Sequence, residues 1–261
     1  AITSAAANLA IGYNAMHTHT TGGNNIAIGY GAMNDTDAGS NSLASDNNIA
    51  IGKDSMGGTW ADGQSRWNVA VGNGTMQAAL NAANTNTAVG NQALYLLTSG
   101  DENVAIGGNA GLKIQVGNYN SLLGSYAGQY ATGSNNTFIG YKAGEGGTTS
   151  APFSSGGGNV GIGYQALSSF TTGDTSVAVG QNALSNMTTA GYNTAMGDHA
   201  GVGITTGGSN VAIGRAALYN TTTGTFNTAV GKDAGAYLNG TATTVIGKEA
   251  GEFTTGSYNT F

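Results

Sequence analysis

The residues best suited to chemistry are few. His17-Thr18-His19 places two imidazoles two residues apart, and in an extended strand alternate side chains share a face. Imidazole suits iron, zinc or nickel, so His17 and His19 are the candidate metal ligands. The blander expectation is two surface histidines in a polar turn, beside Thr20-Thr21-Gly22-Gly23. His199 stands alone in a surface column and is expected to be solvated. Asp233 and Glu249 occupy equivalent places in successive repeats, which would put them ~5 Å apart, a spacing compatible with a retaining glycosidase. Lys232, Lys248 and Arg215 accompany them, so a solvent-facing charge ladder explains all five residues without catalysis. Asp35-Thr36-Asp37-Ala38-Gly39 hints at calcium but lacks the third ligand and the glycine spacing of a Ca²⁺ loop. Gly156-Gly157-Gly158 is followed by Asn159-Val160, with no Lys-Ser/Thr to hold a phosphate. No serine or cysteine nucleophile has a recognisable histidine partner. Catalysis is therefore not expected.

What must position these residues is a repeat. Fourteen copies of Asn-(Thr/Val)-Ala-(Ile/Val)-Gly-x-x-Ala-(Leu/Met/Gly) run through the 261 residues. Their shared glycines are Gly12, Gly29, Gly52, Gly72, Gly90, Gly107, Gly124, Gly140, Gly163, Gly180, Gly197, Gly214, Gly231 and Gly247. Most steps are 16 to 18 residues, with longer ones of 23, 20 and 23. A fixed period of this size denotes stacked structural units.

Read column by column, period-two alternation marks a strand with two faces. The column of Val230 is never polar (Ile28, Val71, Ile106, Met196 and others) and is expected to be the core line. The column of Ala229 is alanine in ten copies, with Leu122, Phe138, Gly161 and Val245 as exceptions. A column kept so small predicts close approach of another backbone, at a central axis or chain-to-chain contact. The next alanine, present in twelve copies, predicts a second short strand or a corner. Asparagine opens the phrase in twelve copies, either as a stacked amide ladder or as a turn residue tolerant of left-handed backbone. Thr-Thr-Gly turns such as Thr205-Thr206-Gly207 close many repeats.

Two short strands and two turns per ~17 residues predict an all-β parallel β-solenoid or β-roll. One repetitive segment is expected over residues 1–261, with side loops at 34–47, 57–67 and 145–158. At ~4.8 Å per coil, fourteen coils would span ~70 Å. The closing Asn259-Thr260-Phe261 reproduces Asn136-Thr137-Phe138 and stops before Ile-Gly, which predicts a fragment of a longer fibre.

Composition limits the partners. There are 46 glycines, one proline, no cysteine and 8% charged residues. The glycines lack the rhythm and proline content of collagen, and aliphatics recur too regularly for a disordered chain. A net charge of −6 with only seven Lys and Arg argues against nucleic acid. No apolar run reaches the length of a membrane span. The apolar strip per coil is thin, so wrapping against sister chains is the expected remedy.

The phrase Asn-Thr-Ala-Val-Gly-x-x-Ala-Leu with Thr-Thr-Gly turns resembles repeats of phage tail-fibre proteins. It is also similar to the head repeats of trimeric autotransporter adhesins, where a Val-Ala-Ile-Gly core forms a β-roll. The likeness runs from Asn8 to Phe261. Adhesin heads usually have shorter coils and serine in place of the second alanine, which favours the tail-fibre relatives. The resemblance implies a parallel homotrimer, intertwined or side by side, that serves as a shaft or head in a virion. It also implies partners among other fibre proteins and a glycan or protein receptor on a cell surface. For His17 and His19 it implies a metal ion held by six imidazoles at a three-fold axis; no other cofactor is expected. Tyr13, Tyr30, Tyr141 and Tyr164, beside the repeat glycines, and Trp60 and Trp67 in a side loop are the expected contact residues. A bacterial surface adhesin or filament is the alternative. An ice-ordering solenoid is a lesser one, since its threonine rows are irregularly spaced.

Overall fold

The computed structural model describes residues 7–19, 21–36, 45–60, 63–147 and 153–261. Its contacts divide into two compact units, Ala1–Thr132 and Gly133–Phe261. Among the described residues each unit holds seven three-residue strands and no helix. The first unit runs from β1 (Leu9–Ile11) to β7 (Ser121–Leu123), the second from β8 (Thr137–Ile139) to β14 (Thr244–Ile246). Within each unit every strand pairs in parallel with the next in sequence, in unshifted register. Ala70 lies opposite Ala88, and Ala212 opposite Ala229. This is a parallel β-solenoid with about 17 residues per coil.

Coils also bond to each other away from the strands: Leu94 N–H donates to Ala110 O at 2.9 Å and Gly144 N–H to Ala166 O at 2.8 Å. The repeat glycine is required by this stacking. At Gly163 φ is +129°, and a Cβ there would sit 2.6 Å from the carbonyl oxygen of Gly180 in the next coil. Neither the backbone conformation nor the space admits a side chain.

The expected inside and outside of the strand are reversed. The Ala229 column, assigned above to contacts between chains, is the interior: Ala70, Ala88, Ala178, Ala195 and Ala229 are all fully buried. The Ile/Val column, expected to be the core, points outward, with Ile11 53% exposed, Ile106 39% and Ile246 63%. The reason lies on the opposite wall. Met33, Met76, Leu94, Leu167, Leu184 and Leu218, four residues after each repeat glycine, reach across and fill the lumen. A further wall column, seven residues after the glycine, supplies Leu97, Ile114, Phe170, Met187, Ile204 and Leu238, also buried. With long side chains entering from two walls, the strand can contribute only a methyl group.

Size exchange across the lumen accounts for the exceptions. Phe138 occupies an alanine position, and Gly144 and Gly161 stand around its ring: a Cβ on Gly161 would lie 3.1 Å from Phe138 Cδ1, and one on Gly144 would collide with the ring. Likewise a Cβ on Gly111 would lie 2.8 Å from a Leu122 methyl, and one on Gly235 3.2 Å from Val245. Large residues on the strand thus face glycine on the wall, as dense packing demands; at Gly201, across from Ala195, the methyl groups of Leu184 and Ile204 take the space instead.

The second expected strand is a corner instead. Ala183 lies between Asn182 (φ 54°) and Leu184 (φ 51°), both left-handed, so the segment cannot extend. The same backbone explains why the wall column is confined to Leu, Met and Gly. Met33 (φ 47°), Met76 (φ 48°), Leu94 (φ 49°) and Leu218 (φ 51°) adopt it, and a β-branched side chain would crowd its own carbonyl there.

The opening asparagines form a buried amide ladder. Asn48 Oδ1 accepts from the Asn68 backbone N–H at 3.0 Å and from Asn68 Nδ2 at 3.1 Å, while Asn68 Nδ2 also donates to Ala83 O at 2.8 Å. Asn86 repeats the pattern on Asn68 and Gly100. The ladder reading of the two left open is the one the geometry bears out. Ser176 and Thr243 stand where asparagine is absent: the Ser176 hydroxyl accepts the Asn193 amide at 3.2 Å, and Thr243 N–H donates to Asn227 Oδ1 at 3.0 Å.

Candidate interaction surfaces

In each unit the strands present one outward face made of two columns. In the first unit these are mainly Ile, Val and Leu, including Ile26, Val69, Val104 and Leu123. In the second, one column is wholly aliphatic or methionine, and the other alternates Val160, Val177 and Val211 with Thr137, Thr194, Thr228 and Thr244. Burying such a side chain fully removes roughly 60–120 Å² from water. At the exposures seen, on the order of 500 Å² of apolar surface per unit stays in water. That is at the upper end for a monomer and more than half of the ~800 Å² one partner gives to a standard interface. Charge is absent from both columns.

Beside this face, just past the repeat glycine, lie the expected tyrosines. Tyr13 is 70% exposed and stacks on Tyr30 with ring centroids 5.4 Å apart; Tyr141 stacks on Tyr164 at 5.7 Å. Lys53 and Lys142 sit about 6 Å from the rings of Tyr30 and Tyr141 respectively. The Lys142 amine is held above its usual range, chiefly by its hydrogen bond to Glu145, whose carboxylate is 3.1 Å away.

The two tryptophans part company. Trp60 is buried, its Nε1 donating to Met56 O at 3.2 Å, because the coil folds it into the lumen as one more wall residue. It is no contact residue. Trp67 is 55% exposed and has the Arg66 guanidinium 5.9 Å from its ring. Asp62, in the same loop, lies outside the described residues, as do residues 37–44 and 148–152 of the other two loops.

The histidine pair does not share a face. His17 is exposed, whereas His19 is fully buried in the wall column that carries Leu97 and Ile114 in later coils. His19 Nδ1 lies 2.7 Å from Thr36 Oγ1, and Nε2 lies 3.3 Å from Gly22 O. Alternation fails because this stretch is a turn, not a strand. Among the described residues no three His, Cys, Asp or Glu side chains converge as a metal site. Asp35 is occupied by hydroxyls, with Thr18 at 2.8 Å and Thr59 at 2.7 Å; Asp37 and Gly39 lie outside the described residues.

His199, expected to be solvated, has partners: Nδ1 is 2.7 Å from Asp198 Oδ1 and Nε2 is 3.2 Å from Asn182 Nδ2. Asp198 also faces Arg215 at 3.6 Å. The other expected charges pair within their own coils, Lys232 with Asp233 and Lys248 with Glu249, each at 3.0 Å. No family model, curated protein or solved structure matches the chain.

Proposed function

We propose that the chain is part of a self-associating structural fibre of the phage tail-fibre type, a parallel homotrimer that supports attachment to a host surface. One observation carries the reading: each coil closes its own core, yet every strand still offers at least one large apolar side chain to the outside, and eight of the fourteen offer two. A solenoid that worked alone would gain by making those columns polar, as exposed strand faces usually are. Sister chains pressed against this face would remove it from water. The interface columns are therefore the Ile/Val pair, not the alanines.

The lack of charge in these columns suits contact between identical surfaces in parallel register, where a charge would meet its own copy. The repeat phrase and its turns supply the likeness to tail fibres, and with it the virion setting, neighbouring fibre proteins and a glycan or protein receptor. An ice-ordering role is less well supported. The hydroxyls of Thr171, Thr188 and Thr205 each donate to the carbonyl of the next coil at 3.1 Å, so they are not an outward lattice.

Native mass measurement tests the assembly: a trimer is expected, and a stable monomer at micromolar concentration would remove the reading. Peptide mass spectrometry of purified virions from the source tests the setting; recovery only from bacterial surface fractions would replace the virion with a cell-surface filament.

A further inference from the structure

The second unit has a corner where the columns change character. Two residues past the repeat glycine most coils carry a polar side chain, such as Gln165, Asn182 or His199, but the coil of Gly214 carries Ala216. Five residues past it, Ala236 falls between Tyr219 of the preceding coil and Glu252 of the following one. These two short side chains help line a groove of about 330 Å³. A smaller depression of about 140 Å³ adjoins it toward Asp198 and His199, sharing Arg215, Ala216 and Tyr219.

The walls combine two kinds of surface. Tyr219 and Tyr237 are 41% and 43% exposed, and Tyr237 is backed by Phe253 in a near-parallel stack at 5.2 Å. Tyr237 is therefore a supported aromatic plate. Arg215 and Asp233 line the same groove, steadied by Asp198 at 3.6 Å and Lys232 at 3.0 Å. Glu252 completes the rim.

We propose that this groove binds an uncharged oligosaccharide about two pyranose units long. An aromatic plate packs against the C–H face of a sugar ring. Planar guanidinium and carboxylate groups bond adjacent hydroxyls in pairs. Three successive coils span ~10 Å, the reach of a disaccharide. Two cations, Arg215 and Lys232, stand beside three carboxylates (Asp198, Asp233, Glu252), and both cations are already paired, which disfavours phosphate and acidic sugars; the polar rim disfavours a lipid. The proposal deepens the attachment reading and rests on it for its biological setting, while the groove itself stands on its own geometry.

The test is saturation-transfer NMR on the whole chain with maltose, cellobiose, lactose and chitobiose. At least one should show transfer to its ring protons. Transfer should be lost in Tyr219→Ala and in Ala236→Gln, which fills the groove without removing a ring, and retained in Phe226→Ala, outside the groove. No transfer from any of the four, or undiminished transfer in Ala236→Gln, overturns the proposal. Mass measured on the same sample separates the two readings: a trimer without transfer removes only the groove, and a monomer that binds sugar removes only the fibre.

Discussion

Ala178 and Val179 are neighbours in one strand and should respond oppositely to substitution. Ala178 is fully buried between Gly161 and Ala195 in the adjoining coils, facing a lumen already filled by Leu167 and Leu184. Ala178→Leu adds three carbons where no void awaits them, and overpacking of this kind costs ~1–3 kcal/mol or more. Val179 points outward and is only half-buried. Val179→Thr in an isolated chain should cost within about 0.5 kcal/mol, as for other surface changes. In an assembly that covers this face, the same substitution buries a hydroxyl in each copy, at ~1–3 kcal/mol per unpaired group. Thermal unfolding followed by circular dichroism should therefore show Ala178→Leu melting well below the parent at every concentration. Val179→Thr should melt close to the parent when dilute and shift the association equilibrium when concentrated, as read by analytical ultracentrifugation. If Val179→Thr unfolds the dilute chain while Ala178→Leu is tolerated, the inside and outside of the coil have been assigned the wrong way round.

Two further substitutions probe the interior. Asn68→Ala removes the acceptor of the Asn86 amide and the donor to Ala83 O, so two buried backbone groups lose their partners. At ~1–3 kcal/mol each, a loss of ~2–6 kcal/mol is expected in urea unfolding, against little change for Ser176→Asn, which restores the ladder's usual residue. Leu184→Ile keeps the volume but places a β-branched residue at φ 51°; it should destabilise by ~1–2 kcal/mol beyond Leu184→Met, and equal melting temperatures would refute the steric account of this column.

The repeat and its strands were legible because alternation and period are both written in residue types. Period two separates two faces but does not say which one is inside. Val230 is the more apolar residue and Ala229 the smaller, and in this coil size, not apolarity, decides which of them faces inward. The deciding information was in the wall columns: Leu, Met and Gly recur four residues after the glycine, and Leu97, Ile114 and Phe170 seven after. The second column varies too much in residue type to stand out by eye. The exchange of Phe138 against Gly144 and Gly161 was visible in principle, since an intruding large residue among alanines calls for space nearby. His17 and His19 lie in a turn, as the blander expectation had it, and the turn sends His17 to the surface and His19 into the lumen. The Ala216 and Ala236 groove gave no positive signal, since it arises from side chains that are missing.

The amide ladder has a consequence for how the molecule can change size over generations. Asn48 reaches back to Asn25 across a 23-residue step as it does across shorter ones elsewhere, with Asn48 N–H to Asn25 Oδ1 at 2.9 Å. Surplus residues leave the rung spacing undisturbed. Duplication or deletion of one gene segment encoding a full turn would thus alter reach by a quantum of ~4.8 Å while every junction kept its existing chemistry. Length becomes a trait that recombination can tune without inventing a new contact, provided each excised piece begins and ends on the same asparagine.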